Sequence, residues 1–370
     1  MMLRTTIFPG RYVQGQDARK RLGKELERFG EEGFVVCGNY VAKNLLQDFE
    51  PYLSNGIHAR IEEFGGECSD EEIQRLLQLV KSSNPDFIVG LGGGKVIDTA
   101  KAVANQSCLP VAVVPTIAAT DAPCSALSVI YTEGGEFRRL FFHRKNPDLV
   151  LVDTQIIADA PVELLVSGMG DALATWFEAQ SSMSSYAANM TGDLGSFTAY
   201  TLARLCYDTI LEYGILAKSA CENGVVTPAL ERIVEANTLL SGLGFESGGL
   251  GAAHAIHNGF TVLPEARKRY HGQKVAFGTI ASLFLTDKPA AIIGEVYDFC
   301  ESVGLPTTLT DLGLIEISDD ELMKVAHASC AEEETIHNEL IPVTPYMVFA
   351  AIKAADAEGK RRRKYAQERG

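Results

Sequence analysis

A glycine-rich turn between a predicted strand and a predicted helix is the feature that most restricts the possible folds of this chain. The turn lies in the sequence GLGGGKVIDTA, at residues 90–100. An apolar stretch at residues 86–89 precedes it, and apolar residues at helical spacing follow it over residues 96–105. At such a junction the glycines let backbone N–H groups approach an anion, and the helix N-terminus adds partial positive charge. The turn therefore predicts a phosphate-binding cradle at the carboxyl end of a buried strand.

The glycine turn departs from two common phosphate-binding motifs. A Walker loop has Ser or Thr after its Gly-Lys pair, where this chain has Val96. The usual dinucleotide motif has a glycine where Lys95 stands. Taken alone, the turn therefore also fits a simple tight connection between a strand and a helix.

Length and composition predict a cytoplasmic protein with two domains. A single hydrophobic core stops growing at about 250–300 residues, and the chain has 370. The net charge of −15 argues against a nucleic acid or an anionic membrane as the main partner. No apolar run reaches the roughly 18 residues of a membrane span, and the first residues lack a signal-peptide core. The eight cysteines include no CxxC pair, so we expect reduced thiols.

Two different patterns divide the chain near residue 160. Short apolar runs alternate with helical patterns before it, and apolar residues at helical spacing dominate after it. The predicted strands are residues 34–37, 59–62, 86–89, 111–115 and 149–153, the predicted helices are 41–52, 69–82 and 96–105, and a hairpin is predicted at 128–140. The alternation is typical of a mostly parallel sheet with crossover helices. We therefore predict an α/β domain at residues 1–160 and an all-helical domain at residues 161–370.

A polar loop with the sequence PTIAATDAPCSALS, at residues 115–128, directly follows the fourth predicted strand. It contains Thr116, Thr120, Asp121 and Ser125. Ligands of parallel sheets bind at the carboxyl ends of the strands, so this loop and the glycine turn should share one edge of the sheet. Hydroxyl groups and a carboxylate there suit a ribose, a diphosphate or a substrate hydroxyl. Turn capping, which Ser, Thr and Asp also perform, is the alternative interpretation.

Three possible metal ligands stand out in the helical half, namely Asp171, His254 and His271. Two imidazoles and a carboxylate with an open fourth position are typical of catalytic zinc. Their separations place each residue on a different helix, so spacing alone also allows hydrogen-bonded core histidines. His257 follows His254 by three residues and shares its helix face. It is a candidate substrate-contacting residue or a plain buried histidine.

Several long motifs, in order along the chain, resemble bacterial glycerol dehydrogenases of the iron-containing, or group III, alcohol dehydrogenase superfamily. They are GLGGGKVIDTAKA, PTIAATDAPCSALSVIY, GMGDALATWFEA, VTPALERIVEAN, GFESGGLGAAHAIHNG, YHGQKVAFGT and AEEETIHN. The resemblance runs from near residue 9 to about residue 358. It implies an N-terminal α/β dinucleotide-binding domain and an all-helical metal-binding domain. It also implies reversible oxidation of glycerol and other vicinal diols to dihydroxyacetone, with NAD as the hydride acceptor.

The resemblance assigns roles to residues of the helical half and of the polar loop. It implies that Asp171, His254 and His271 bind zinc and, through it, the substrate. It places Asp121 near the glycerol hydroxyls, and we add His257 as a candidate acceptor of the hydroxyl proton. Iron-dependent relatives carry a fourth ligand, a histidine four residues after the aspartate, where this chain has Thr175. That difference favours zinc over iron.

The resemblance also implies a set of residues that contact NAD. They are Gly94, Lys95, Thr116, Ala119, Ser125, Leu127 and Tyr131. We add Gly93 and Asp98 from the glycine turn and its helix, and Thr120 from the polar loop. Many glycerol dehydrogenases have an aspartate after the first predicted strand, where this chain has Gly38, and its absence leaves NADP open. Asn39 can bind a free ribose and no arginine lies in that loop, so we predict NAD.

Two other functions remain open at this point. A dehydrogenase of the same superfamily that acts on a phosphorylated or other polyol would need cations in its pocket, for which Arg267, Lys268 and Arg269 are the candidates. A non-catalytic nucleotide-binding protein could retain the fold, although the intact metal positions and Asp121 argue against it. The resemblance implies a homo-oligomer, an octamer in the family.

Overall fold

The computed structural model describes residues 2–53 and 56–369, and these form two compact units. The first, here called the sheet unit, comprises Ile7–Leu165 and Ser219–Gly242. The second, here called the helical unit, comprises the residues up to Thr6, Val166–Lys218 and the residues from Leu243 onward. The single domain boundary predicted at residue 160 stays a prediction. The structure adds that residues 219–242 group with the sheet.

The sheet unit contains a six-stranded parallel sheet and a separate hairpin. The sheet strands are β1 (Tyr12–Gly15), β2 (Glu32–Cys37), β3 (His58–Glu63), β4 (Phe87–Gly92), β5 (Val111–Pro115) and β8 (Leu149–Asp153), and the hairpin is β6 (Leu127–Tyr131) with β7 (Phe137–Phe142). The strand order is β1-β8-β5-β4-β2-β3, and every neighbouring pair is parallel. The predicted parallel sheet and hairpin are therefore confirmed. Strand β1, which the alternating pattern did not single out, adds one edge.

The helices follow in chain order. They are α1 (Leu22–Leu26), α2 (Asn39–Asn44), α3 (Leu46–Leu53), α4 (Asp70–Ser83), α5 (Gly94–Ser107), α6 (Thr154–Ala158), α7 (Val162–Ser185), α8 (Phe197–Glu222), α9 (Pro228–Glu235), α10 (Ser241–Gly248), α11 (Ala252–Phe260), α12 (His271–Leu285), α13 (Ala290–Val303), α14 (Asp319–Ser329) and α15 (Pro345–Arg369). The prediction of a helical second half is confirmed. The one helix predicted at 41–52 is wrong in its continuity, because Leu45 has φ −125° and separates α2 from α3.

The carboxyl ends of three strands bring the predicted ligand-binding segments to one edge of the sheet. Gly92 at the end of β4 lies opposite Pro115 at the end of β5. The Thr116 N–H donates to the Gly92 carbonyl oxygen at 3.1 Å. On the other side of β4, the Gly38 N–H donates to the Leu91 carbonyl oxygen at 3.0 Å. The glycine turn, the polar loop and the loop after β2 therefore adjoin one another, as the strand pattern predicts.

Helix α5 packs unusually close to the sheet. A Cβ atom on Gly90 would lie only 2.7 Å from the Cβ of Ala100, so a larger residue in the middle of β4 would push the helix away. Strand β4 is buried along its whole length. The absence of a side chain at position 90 therefore allows α5 to lie close against β4.

Two further features bear on the class of protein. Among the described residues, no helix combines the length and apolar character that crossing a bilayer would require. All eight cysteines are free, and most are buried.

Candidate metal and cofactor sites

Three ligand-type side chains converge in the helical unit. Asp171 lies in the middle of α7, His254 is the third residue of α11, and His271 is the first residue of α12. The Oδ1 atom of Asp171 lies 3.3 Å from His254 Nε2 and 3.1 Å from His271 Nε2. One possible ligand atom from each residue falls within 4.8 Å of the other two. The three residues that the sequence could not connect by spacing therefore form one cluster.

Glycines bring the three helices close enough for this cluster to form. A Cβ on Gly272 would lie 1.8 Å from the Ser167 carbonyl oxygen, so α12 meets α7 backbone to backbone. A Cβ on Gly278 would lie 2.4 Å from the Ala253 carbonyl oxygen, so α12 meets α11 in the same way. One residue from each helix completes a small buried cluster beside the ligands: Ala174, Ala253 and Val275. The sequence thus fixes the ligand positions through close helix packing.

Glu178 orients His254 toward Asp171. Its Oε2 atom lies 2.7 Å from His254 Nδ1, and its Oε1 atom accepts the backbone N–H groups of Gly251 and His254 at 3.0 and 2.9 Å. A carboxylate at Nδ1 holds the proton on that nitrogen, which leaves Nε2 as the electron-pair donor. His254 therefore presents Nε2 toward the Asp171 carboxylate, as a metal ligand would.

Asp171 and His254 shift each other's pKa in opposite directions. Burial raises the pKa of Asp171, but His271 and His254 outweigh burial, and the net pKa lies well below the usual range of a carboxyl group. Burial lowers the pKa of His254, whereas Glu178 and Asp171 raise it, and the net pKa lies well above the ordinary value for histidine. Without a metal, positive charge on an imidazole balances the buried carboxylates. A metal cation would take over that role and release a proton.

The donor set fits a metal ion. The Asp171 side chain is only 1% exposed, and its Oδ2 atom has no hydrogen-bond partner among the described residues. A buried carboxylate oxygen without a donor is rare in native structures and needs a partner such as an ion or water. One carboxylate oxygen and two imidazole nitrogens make a three-ligand set that leaves further coordination positions open.

His257 lies beside the cluster with a fixed tautomer. Its ring centroid is 4.3 Å from that of His271, and its Nδ1 atom lies 3.0 Å from Asn258 Oδ1. The Asn258 amide nitrogen donates to Glu334 at 3.0 and 3.2 Å, so Asn258 Oδ1 is free to accept the His257 Nδ1 proton. Nε2 of His257 therefore carries the lone pair. Burial, followed by the positive charges of His271 and Lys274, lowers the pKa of His257.

The sheet unit carries the predicted phosphate cradle. Helix α5 begins at Gly94, and its first turn contains no acidic residue. The first N–H groups of a helix have no partner within the helix, so they are available to an anion. A Cβ on Gly93 would lie 3.1 Å from the Ile117 side chain, and a Cβ on Gly94 would lie 3.6 Å from Thr120 Oγ1. The available N–H groups and the small residues at the turn therefore leave room for an anion, and its binding of a dinucleotide phosphate stays a prediction.

Lys95 and Tyr131 lie together next to this turn. The Lys95 ammonium lies 2.6 Å from Glu67 Oε2 and 5.4 Å from the centre of the Tyr131 ring. Half of the Lys95 side chain is exposed. Both predicted cofactor contacts therefore occupy the same neighbourhood, where Lys95 has a cation–π neighbour and a carboxylate partner.

The other predicted cofactor contacts divide into two groups. Thr116, Ala119 and Leu127 retain 6–8% exposure at the edge of the sheet. Asp98 and Ser125 are 6% and 0% exposed, and their polar atoms contact a buried lysine ammonium. The direct role of each residue in cofactor binding stays a prediction.

Other residues singled out in the sequence occupy varied environments. Asp121 is partly exposed, and its Oδ2 atom accepts a hydrogen bond from Ser241 Oγ at 2.8 Å. Thr175 is buried in α7 one turn after Asp171, at the position where the family resemblance implies a histidine in iron-dependent proteins. The basic residues 267–269 are all exposed. Exposure weakens the case for those cations as part of a phosphate pocket.

Sequence reasoning missed Glu178, Asn258, Ser241 and a buried lysine, Lys101. Glu178 had a detectable signal, because it follows Asp171 by seven residues and so lies two helical turns away on the same face. Asn258 is next to His257, but its bond to Glu334 joins positions far apart in sequence. Nothing local distinguishes Ser241 or Lys101 from ordinary helix residues.

Known proteins resemble this chain over both units. Residues 9–154 match the family described as iron-containing alcohol dehydrogenase. A glycerol dehydrogenase from Thermotoga maritima is 63% identical over 98% of this chain and 99% of that protein, and one from Citrobacter freundii is 51% identical over 97% and 99%. The crystal structure of glycerol dehydrogenase from Schizosaccharomyces pombe superposes with a TM-score of 0.94 at 38% identity, covering 99% of this chain and 94% of that one. The similarity therefore extends over the segments that carry Asp171, His254 and His271 as well as over the sheet unit.

Proposed function

This chain belongs to the glycerol dehydrogenases of the iron-containing alcohol dehydrogenase family, and from this membership we propose that it oxidises glycerol to dihydroxyacetone with NAD and a resident zinc ion. The chain is an oxidoreductase, and the relatives' names specify the alcohol. The observation that carries the proposal is the cluster of Asp171, His254 and His271 with its unpartnered buried Oδ2 atom.

Each side chain has a role in the proposed reaction. A bound zinc ion would supply Lewis-acid stabilisation of negative charge on a substrate oxygen, and bound NAD would supply the hydride acceptor. Asp171, His254 and His271 hold the metal, and Glu178 orients His254. His257, with its lone pair on Nε2, accepts the hydroxyl proton directly or through water.

Asp121 is proposed to orient the diol. Its carboxylate already accepts one hydrogen bond, from Ser241, and a carboxylate can accept several. A second hydroxyl of glycerol would supply a further donor. Vicinal diols would then be preferred over simple alcohols, which lack that hydroxyl.

Thr175 supports zinc as the resident metal. A threonine in place of the fourth histidine leaves three protein ligands, which is the usual number at a catalytic zinc. Iron would need additional ligands from water or substrate to complete its preferred geometry. Zinc is therefore the metal that this ligand set suits best.

The loop after β2 supports NAD over NADP. A Cβ on Gly38 would lie 3.2 Å from Val96 Cγ2, so the position faces the first turn of α5. The lack of a carboxylate at Gly38 leaves NADP open, but no arginine stands in residues 38–45 to attract a 2′-phosphate, which favours NAD. Asn39, at the start of α2, can donate to a free ribose hydroxyl.

A homo-octamer in the cytoplasm completes the proposal. The family resemblance implies the octamer, and the composition implies the location. Exposed apolar side chains on α8 are consistent with a contact between subunits.

Glycerol deuterated at C2 tests the reaction. With NAD present, deuterium should appear in the reduced nicotinamide and dihydroxyacetone should accumulate in equal amount. NADP should be reduced much more slowly, and glycerol 1-phosphate should give no reduction with either cofactor. Reduction with glycerol 1-phosphate alone would instead assign a phosphorylated substrate, and no reduction with any substrate would contradict the proposed activity.

A further inference from the structure

A buried ammonium group lies at the centre of the polar loop. The Lys101 side chain is 2% exposed, and its Nζ atom lies 2.8 Å from the Ala122 carbonyl oxygen and 2.5 Å from that of Leu127. The carbonyl oxygen and Oγ of Ser125 are both at 3.3 Å, and Asp98 Oδ1 is at 3.0 Å. Five oxygen atoms therefore surround one buried nitrogen.

This arrangement has the character of a cation site rather than a chance ion pair. A buried ammonium is expensive unless oxygen atoms satisfy its three N–H groups. Residues 122–126 lie outside helices and strands, so their carbonyl groups take partners from other segments. Asn146 Nδ2 donates to the Cys124 carbonyl oxygen, and the His143 N–H donates to that of Ala126. The ammonium of Lys101 contacts two further carbonyl oxygens of this segment at once, those of Ala122 and Ser125. Neither a neutral side chain nor a single N–H donor could bind so many oxygen atoms.

Asp98 joins the same site to the hairpin. Its Oδ2 atom accepts the Val129 N–H at 2.9 Å, and its backbone carbonyl accepts a hydrogen bond from Ser128 Oγ at 2.7 Å. Asp98 and Lys101 both belong to α5, whose N-terminus forms the glycine cradle. Helix α5 therefore forms the predicted phosphate cradle with its first residues and contacts the polar loop through its second turn.

We propose that Lys101 is a positioning residue whose ammonium acts as a built-in monovalent cation, around which residues 122–127 fold beside the glycine cradle. Lys101 itself is too deeply buried to reach a ligand. It acts through the loop, which carries Asp121 and the contacts assigned to NAD. The inference rests on the proposed function for the identity of those ligands, but the fold of the loop around Lys101 does not depend on it.

The substitution Lys101→Ala gives a specific test of a cation role. It removes three carbon atoms and the ammonium, which together match the propylammonium ion. In the zinc-loaded full-length protein, the variant should bind NADH at least about tenfold more weakly, because a displaced loop no longer matches its ligand. Millimolar propylammonium should restore binding. Tetramethylammonium has the same charge but no N–H group and should not.

Hydrogen exchange of residues 121–127, followed by mass spectrometry, reports on the loop without any ligand. Exchange should be faster in Lys101→Ala than in the wild type and should slow again with propylammonium. The exposed Lys81 at the end of α4 provides the matched control, since Lys81→Ala should change neither exchange nor NADH binding. Zinc content should stay at the wild-type value in all of these variants.

The outcomes separate this inference from the proposed function. Wild-type loop exchange and NADH affinity in Lys101→Ala would overturn the role of Lys101, as would losses that propylammonium fails to reverse. If Lys101→Ala does not fold, Lys101→Gln replaces it; we expect faster loop exchange there too, and unchanged exchange would overturn the inference. A wild-type protein that binds no NADH would contradict the proposed function, while loop exchange would still decide the role of Lys101.

Discussion

At the scale of single residues, the proposed metal site depends most on Asp171. It is the buried carboxylate that both imidazoles approach, and it keeps one oxygen without a partner in the described chain. Its charge is balanced by histidines whose own protons a metal would displace. The surrounding contacts thus prepare a cation site rather than a stable ion pair.

Asp171→Asn should abolish stoichiometric zinc binding and turnover. The amide keeps the side-chain volume but removes the negative charge. The loss of zinc affinity should therefore exceed the roughly 10–100-fold loss that follows removal of a hydrogen-bond partner of a metal ligand. Zinc content by mass spectrometry and the rate of NAD reduction give the result. Asp121→Asn is the matched control and should keep the zinc while the KM for glycerol rises. Stoichiometric zinc with full activity in Asp171→Asn would refute the ligand assignment.

His143, to which the sequence assigns no role, should make the protein sensitive to acid. Burial and the nearby Lys101 ammonium lower its pKa to about 3. Its Nε2 atom lies 2.7 Å from Ser128 Oγ, and its buried Nδ1 atom has no partner in the described chain. In the unfolded chain the imidazole therefore binds a proton with a pKa near 6.5, whereas in the folded chain it stays neutral until the pH approaches 3. This contribution to stability is complete above pH 6.5 and decreases as the pH falls toward 3.

Urea unfolding at several pH values tests the predicted decrease in stability as the pH falls. Between pH 6 and pH 4, His143→Gln should reduce the slope of unfolding free energy against pH by up to about 1.4 kcal/mol per pH unit. The exposed His58 supplies the control, because His58→Gln should leave the slope unchanged. Equal slopes in His143→Gln and the wild type would show that the imidazole titrates normally in the folded protein.

At the scale of elements, the packing of α11 on α12 sets the geometry of the candidate metal site. Gly278→Ala should push these helices apart, because the new Cβ would meet the Ala253 carbonyl oxygen at 2.4 Å. Overpacking of this kind lowers the free energy of unfolding by about 1–3 kcal/mol. Because Ala253 precedes His254, we also expect weaker zinc binding in competition with a chelator.

Gly294 in α13 is the matched control for this prediction. A Cβ there meets nothing within 4 Å. Because alanine is favoured over glycine inside a helix, Gly294→Ala should raise the free energy of unfolding by about 0.5–1 kcal/mol and leave zinc affinity unchanged. Wild-type zinc affinity in Gly278→Ala would mean that the helix contact does not position His254.

The strands and helices of the sheet unit could be predicted because their signals are local. The buried apolar runs of β5 (Val111–Pro115) and β8 (Leu149–Asp153) end where the predicted strands end. Local patterns did not predict the break at Leu45, because that break depends on the dihedral angle of one residue. The four-residue strand β1 was missed because so short a segment shows too little alternation.

The residues of the candidate metal site could be singled out from the sequence, but their proximity could not. Asp171 and His254 are 83 positions apart, and no periodic pattern spans such a distance. Resemblance to a family named the ligands, but the contacts at Gly272 and Gly278 bring them together. The bond from Glu178 to His254 likewise depends on how α7 packs against α11.

At the scale of the whole molecule, helix α8 should contribute to assembly. Phe197 is 85% exposed and Leu216 is 60% exposed on this helix, which is unusual for large apolar side chains. We expect light scattering to find an octamer in dilute neutral buffer. A monomer at micromolar concentration would contradict the octamer and leave the exposed side chains of α8 without a partner.

Removal and replacement of the metal tests the central claim most directly. The absorbance of reduced nicotinamide is followed with glycerol and NAD on the protein as purified, after removal of all metal by a chelator, and after addition of zinc or iron. We expect the rate to vanish on removal and to return with one equivalent of zinc, but not with iron. Unchanged turnover in protein free of metal, or recovery with iron alone, would contradict a zinc-dependent reaction at Asp171, His254 and His271.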